Sequence, residues 1–149
     1  MTQTQEWQVT VNQYAERVIA GMREDLAALK HSGECSEGDE CKAGAESENP
    51  EHWHDEDAAR EHIEETPLSI EVRSGWHTPG TDAQDTEYNI LLGTGGPASR
   101  IVGEIDDNGE SATATFEFQD WGKPWTAANL TQADEDTLLK WVQVFYLGA

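Results

Sequence analysis

The chain has 149 residues, of which 30 are acidic and nine are basic, and its formal net charge is -21 at pH 7. This excess of negative charge excludes binding by neutralisation of phosphates, so we expect no direct contact with nucleic acid or with anionic membranes. The length fits a single domain, residues 1–149, that is large enough to bury a core.

The hydropathy and the cysteine content indicate a compartment. No run of about 18 apolar residues is present, so no transmembrane helix is expected. The first residues, MTQTQEWQVTV, lack the basic and apolar regions of a signal peptide. We therefore expect a protein that stays in the cytoplasm where it is made and in which Cys35 and Cys41 are reduced thiols.

The first predicted element is a long helix. Apolar residues recur at steps of three and four from Val11 to Leu29. This period predicts an amphipathic helix over about residues 8–30, ended by the His-Ser-Gly sequence at 31–33.

The next segment is an acidic insertion of loop and helix at about 33–65. Residues 34–65 contain 13 acidic and two basic residues, or about half of the net charge of the chain. Residues 33–47 are rich in Gly, Ser and Glu, which predicts an exposed loop. An acidic helix is predicted over about 50–65, with Asn49 as its cap and Pro50 at its first position.

The second half of the chain alternates apolar and polar residues, a pattern typical of strands. Strands are predicted at about 68–73, 88–92, 100–105 and 112–118, with a hairpin turn at 107–109. A last helix is predicted to begin at Thr131. The order of elements predicts an α+β fold. We expect a four-stranded antiparallel meander with the N-terminal, acidic and C-terminal helices packed mainly on one face.

Thiols and imidazoles in the insertion are candidate zinc ligands. Cys35 and Cys41 are separated by five residues, and His52 and His54 follow them, with His31 and His62 nearby. Structural zinc sites usually separate paired cysteines by two to four residues, so the spacing fits poorly. The alternative is a set of polar surface residues. We expect no cofactor, with zinc as the less favoured alternative, and no enzymatic activity. The 30 acidic residues make chance carboxylate pairs inevitable, so their abundance is no evidence for a catalytic site.

Trp121 and Trp125 flank a Gly-Lys-Pro turn. Tryptophan is enriched at binding hot spots, so these two side chains are candidate anchors for a partner protein. The alternative, which we favour from the sequence, is that they cover the end of the core together with Trp76 and the last helix.

The acidic helix is the main candidate for a binding surface. Helical neighbours lie about 5–6 Å apart, a spacing of the same order as that of phosphates along a DNA strand. A rigid array of carboxylates can therefore occupy a basic groove that normally holds DNA. The predicted contact residues, with Trp53 as an apolar anchor, are Glu51, Asp55, Glu56, Asp57, Glu61, Glu64 and Glu65.

Three other interpretations of the acidic segment remain open. It can be a solvated, disordered segment, or a docking site for an unrelated basic protein. It can also reflect adaptation to a high-salt cytoplasm, which the four lysines of the chain suit. Residues 1–33 contain four acidic and three basic residues, however, and a halophilic surface is acidic throughout.

The second half of the chain also resembles a known group of proteins. The stretches SIEVRSGW at 69–76, ILLGTGGPASRI at 90–101 and QDWGKPWT at 119–126 carry this resemblance. They are similar to a family of small, acidic, poorly characterised proteins encoded on phages, plasmids and integrative elements, over about residues 68–148. The resemblance supplies no catalytic residues.

Mobile elements often encode counter-defence proteins, including anti-CRISPR and antirestriction DNA mimics. The resemblance therefore implies a non-enzymatic inhibitor of a host DNA-targeting defence system. The expected partner is the basic DNA-binding surface of a host nuclease or CRISPR effector. A zinc-stabilised or generic acidic interaction module is the alternative.

Overall fold

The longest element is the N-terminal helix. In the computed structural model, which describes residues 2–35 and 41–147, helix α1 spans Gln3–Glu34. A capping box starts it: Thr2 Oγ1 accepts the Gln5 N–H, and Gln5 Oε1 accepts the Thr2 N–H. The predicted bounds of 8–30 were too narrow, because the apolar repeat marks only the part of α1 that packs on the core. Residues 31–33 do not end the helix.

Among the described residues, five antiparallel strands form one sheet in the order β1-β2-β3-β4-β5. They are, in that order, Ser69–Ser74, Asp85–Gly93, Ala98–Glu104, Thr115–Gln119 and Thr126–Ala127. The predicted meander is therefore confirmed, with one strand more than the four expected. Strand β5 was missed because its two residues are too few to show alternation. It is held in the sheet by pairing with Glu117 and Phe118 of β4.

The turn between β3 and β4 lies where the sequence predicted it. Gly109 has a φ of +81°, and the Asp106 carboxylate accepts the N–H groups of Asn108 and Glu110 at 2.9 and 3.1 Å. Strand β4 begins at Thr115 rather than at 112, because residues 111–114 do not continue the strand pairing: Ser111 forms an isolated bridge with Ile105, and the Ala112 N–H donates to the Glu104 carbonyl.

The main core lies between the sheet and helices α1 and α3. Helix α3, Gln132–Val142, begins after Thr131, whose hydroxyl accepts the Asp134 N–H as predicted. The largest fully buried side chains are Trp141, Phe116, Ile19, Ile63, Ile90, Ile101, Leu138, Val11 and Val142. The α+β fold is thus confirmed. Within the described part of the chain, no helix combines the length and apolarity needed to cross a bilayer.

The acidic helix is shorter than predicted. Residues Pro50–Trp53 form a separate 3-10 helix, and helix α2 spans only Glu56–Glu65. Asp55 starts α2 by accepting the Ala58 N–H, whereas the Asn49 side chain caps nothing. The prediction of one helix over 50–65 was wrong, because the capping residue Asp55 favours an extended backbone that interrupts the helix.

Gly103 of β3 is required by the packing of the sheet. A Cβ at this position would lie 2.1 Å from the carbonyl oxygen of Thr113, which also accepts the Tyr88 hydroxyl at 2.6 Å. We expect Gly103→Ala to lower the free energy of unfolding by about 2 kcal/mol or more, measured by urea denaturation.

The matched control is Gly21→Ala on α1, where nothing lies within 4 Å of the added Cβ. Since alanine is the better helix former, this variant should gain about 0.5–1 kcal/mol. Equal stability of the two variants would contradict the packing assigned to Gly103.

Candidate functional site in the acidic lobe

Residues 41–66, here called the acidic lobe, pack against the C-terminal part of α1. The lobe contains the 3-10 helix and α2, and α2 contacts α1 rather than the sheet. Its buried apolar residues are Ala59 and Ile63, which lie one turn apart on α2. This small apolar contact holds a segment of nine acidic and two basic residues.

The side of α2 that faces away from α1 is almost entirely acidic. With 3.6 residues per turn, positions 57, 61, 64 and 65 lie opposite Ala59 and Ile63. We call these residues the acidic stripe: Asp57, Glu61, Glu64 and Glu65, all exposed. None of the four forms an ion pair with a residue that the structure describes. Glu56, one step round the helix, pairs at 3.8 Å with Arg60.

The other predicted contact residues of the lobe lie outside the acidic stripe. Glu51 is exposed on the 3-10 helix, and Asp55 caps α2, so neither continues the acidic stripe. Trp53 is half-buried and packs within the lobe, beside Gly44 and the ring of His31. Gly44 has a φ of +73°, and a Cβ there would lie 2.2 Å from the indole. Trp53 therefore contributes to the packing of the lobe.

Two thiols and two imidazoles meet where the lobe joins α1. The donor atoms of His31, Cys35, Cys41 and His54 all lie within 4.8 Å of one another. Cys41 Sγ is 3.3 Å from His31 Nε2, and Cys35 Sγ is 3.9 Å from His54 Nδ1. Three of the predicted ligand candidates are therefore together. His52 is not among them: its ring centroid lies 4.6 Å from that of His62, with the two rings tilted by 36°.

A half-buried carboxyl, Asp25 of α1, connects all three helices. It accepts the Trp141 indole N–H at 3.3 Å and lies 3.3 Å from His62 Nε2. These groups border a cavity of about 440 Å³ between α1, the lobe and the sheet. Burial raises the pKa of the Asp25 carboxyl above its ordinary value, and His62 and the Trp141 N–H only partly oppose this shift.

The tryptophans of the predicted anchor segment differ in how much of each side chain is exposed to solvent. Trp121 is 84% exposed and Trp76 is fully exposed, so these two residues do not cover the end of the core as the favoured interpretation predicted. Trp125 is half-buried, and the Arg100 guanidinium lies 4.1 Å above its ring centroid. Trp121 and Trp125 as contacts for a partner remain a prediction.

Two residues of this region were not among the predicted ligand or contact residues. His31 was noted only as lying near the cysteines. Its spacing of four from Cys35, one helical turn, was the signal that could have identified it. Asp25 gave no such signal, because its partners Trp141 and His62 are brought to it only by the tertiary fold.

In comparisons with known proteins, no family model, no curated protein sequence and no solved structure matches the chain.

Asp25→Asn should change how stability depends on pH. Because the folded protein raises the pKa of this carboxyl, wild-type Asp25 favours folding most at pH values below about 3.9, the ordinary pKa. This contribution is lost as the pH rises through the folded pKa. We therefore expect the stability of the wild type relative to Asp25→Asn to fall from about pH 4 upward, in urea titrations.

Asp107→Asn, at an exposed turn position, is the control for the loss of one negative charge. A difference between wild type and Asp25→Asn that grows in favour of the wild type with rising pH would contradict the cause assigned to the shift, which is burial.

Proposed function

We propose that the protein is a non-enzymatic inhibitor of a host DNA-targeting defence system. It binds the basic DNA-binding surface of a nuclease or CRISPR effector, and its carboxylates take the places of DNA phosphates. The observation that carries this proposal is the acidic stripe of α2, whose four exposed carboxylates form no ion pair among the described residues.

The geometry of the stripe suits a basic groove. Asp57 is four residues from Glu61, which is three and four residues from Glu64 and Glu65, so the Cβ atoms of these pairs lie about 5–6 Å apart along one side of the helix. Lysine and arginine side chains that line a DNA channel meet phosphates at a comparable spacing. Ion pairing with such a groove also relieves the repulsion between carboxylates, which adds to the affinity.

The packing of α2 favours a fixed array over a flexible tail. Ala59 is 2% exposed and Ile63 is fully buried, so the helix cannot turn about its axis without losing its apolar contact with α1. A binding surface that is ordered before association loses less conformational entropy when it binds. The interruption of the helix at Asp55 restricts the array to α2, because Glu51 lies on the separate 3-10 helix.

Neutralising the stripe should weaken binding to the partner. The variant Asp57→Asn, Glu61→Gln, Glu64→Gln and Glu65→Gln removes four charges without changing side-chain size. At about 0.2–1 kcal/mol for each of four exposed ion pairs, we expect a loss of affinity of about fourfold to several hundredfold at low salt. The binding partner is first captured from host lysate, and its affinity for each variant is then measured by calorimetry.

The matched control removes four exposed acidic charges outside the lobe: Asp82→Asn, Glu104→Gln, Asp107→Asn and Glu110→Gln. Its affinity should stay within about twofold of the wild type, since only long-range charge changes. Equal weakening by both variants would show that net charge alone drives binding.

The same partner provides a direct test of mimicry. DNA and this protein should exclude each other from the partner, as measured by fluorescence anisotropy of labelled duplex DNA. Binding should also weaken steeply as salt is raised. A partner that holds both at once, or a lysate that yields no DNA-binding protein, would refute the proposal.

A further inference from the structure

We propose that His31, Cys35, Cys41 and His54 bind one Zn²⁺ ion, and that this ion fastens the acidic lobe to α1. The four side chains come from three places in the chain. His31 and Cys35 lie one turn apart at the C-terminal end of α1, Cys41 starts the lobe, and His54 follows the 3-10 helix.

The distances between donors agree with tetrahedral coordination. Zinc binds thiolate sulfur at about 2.3 Å and imidazole nitrogen at about 2.0–2.1 Å, so a tetrahedral site places its donors about 3.3–3.8 Å apart. The sulfur–nitrogen separation is 3.3 Å for Cys41 with His31 and 3.9 Å for Cys35 with His54. All other pairs in the cluster lie within 4.8 Å. Small rotations of the side chains are sufficient to close a coordination sphere.

The identity of the donors selects the metal. Two thiols and two imidazoles form the Cys2His2 set of structural zinc sites, whereas Mg²⁺ and Ca²⁺ prefer oxygen ligands. Four protein donors also complete the coordination of Zn²⁺ and leave no position for a substrate or a reactive water. The site is therefore structural rather than catalytic, in agreement with a non-enzymatic protein.

The surroundings of the cluster protect it from water on one side. The ring centroid of Trp53 lies 6.0 Å from that of His31, and the indole in turn covers Gly44. Cys35, Cys41 and His31 are all partly buried, and only His54 is exposed. An apolar wall of this kind lowers the local dielectric and strengthens the bonds between metal and thiolates.

Metal binding is tested on the wild-type protein purified without a histidine tag and kept under a reductant. After incubation with Zn²⁺ and removal of the excess, we expect about one equivalent per chain by elemental analysis. Co²⁺ should replace it and give the intense visible bands of tetrahedral cobalt, with the near-ultraviolet charge-transfer band of cobalt–thiolate bonds. Less than about 0.1 equivalent of zinc, or the pale spectrum of octahedral cobalt, would overturn the proposal.

Variants test which residues are the ligands. Cys41→Ser and His54→Asn should each weaken zinc binding by tenfold or more in competition with a chromophoric chelator. His52→Asn is the matched control, because His52 lies in the same lobe but outside the cluster. It should bind zinc like the wild type. Equal losses in His52→Asn and His54→Asn would refute the ligand assignment.

A chelator experiment on the wild type requires no variant to fold. Removal of zinc should lower the melting temperature, and added Zn²⁺ should restore it. An unchanged melting temperature would show that the ion does not fasten the lobe. None of these measurements involves a partner protein. A negative result would therefore refute the zinc site without refuting the proposed inhibition.

Discussion

The structure depends on one constraint: an acidic segment must stay folded against its own repulsion. The acidic lobe, residues 41–66, holds nine acidic residues, and like charges one helical turn apart cost a few tenths of a kcal/mol per pair. Helix α2 has only ten residues, too few to be stable alone. Glu56 and Asp57 favour its N-terminus, but Glu64 and Glu65 lie at the negative end of its dipole. Contacts outside the helix must therefore hold it in place.

Helix α1 supplies those contacts, because it reaches beyond the sheet. Its N-terminal part buries Val11, Ala15 and Ile19 in the main core. Its C-terminal part meets α2 and presents His31 and Cys35 to the lobe. Between the two parts, Asp25 contacts α2 through His62 and α3 through Trp141. The same helix thus fixes the position of the acidic stripe relative to the domain.

The α+β class, the meander and α3 could be predicted because each has a local signature, either a period in hydropathy or a cap such as Thr131. Strand β5 could not, since its two residues are ordered only by pairing with β4. In the site, the acidic residues and both cysteines were visible in the sequence. The division at Asp55 was not recognised, because Asn49 and Pro50 also form a good helix start. His31 was noted near the cysteines but not selected as a ligand. Whether it faces Cys35 depends on α1 continuing through Gly33, and glycine is favoured just past helix ends.

The proposed zinc site and the proposed binding surface are linked by position and not by charge. Each thiol releases its proton when it binds the metal, so two thiolates cancel the two charges of Zn²⁺ while the imidazoles stay neutral. Loading the site therefore leaves the net charge of the lobe unchanged. If the metal changes the affinity for a basic partner, it does so by fixing where the acidic stripe points. Long-range attraction, which depends on net charge, is the same with and without the ion. Ordering of the lobe instead governs how many carboxylates reach their cationic partners at once, and so how long the complex lasts.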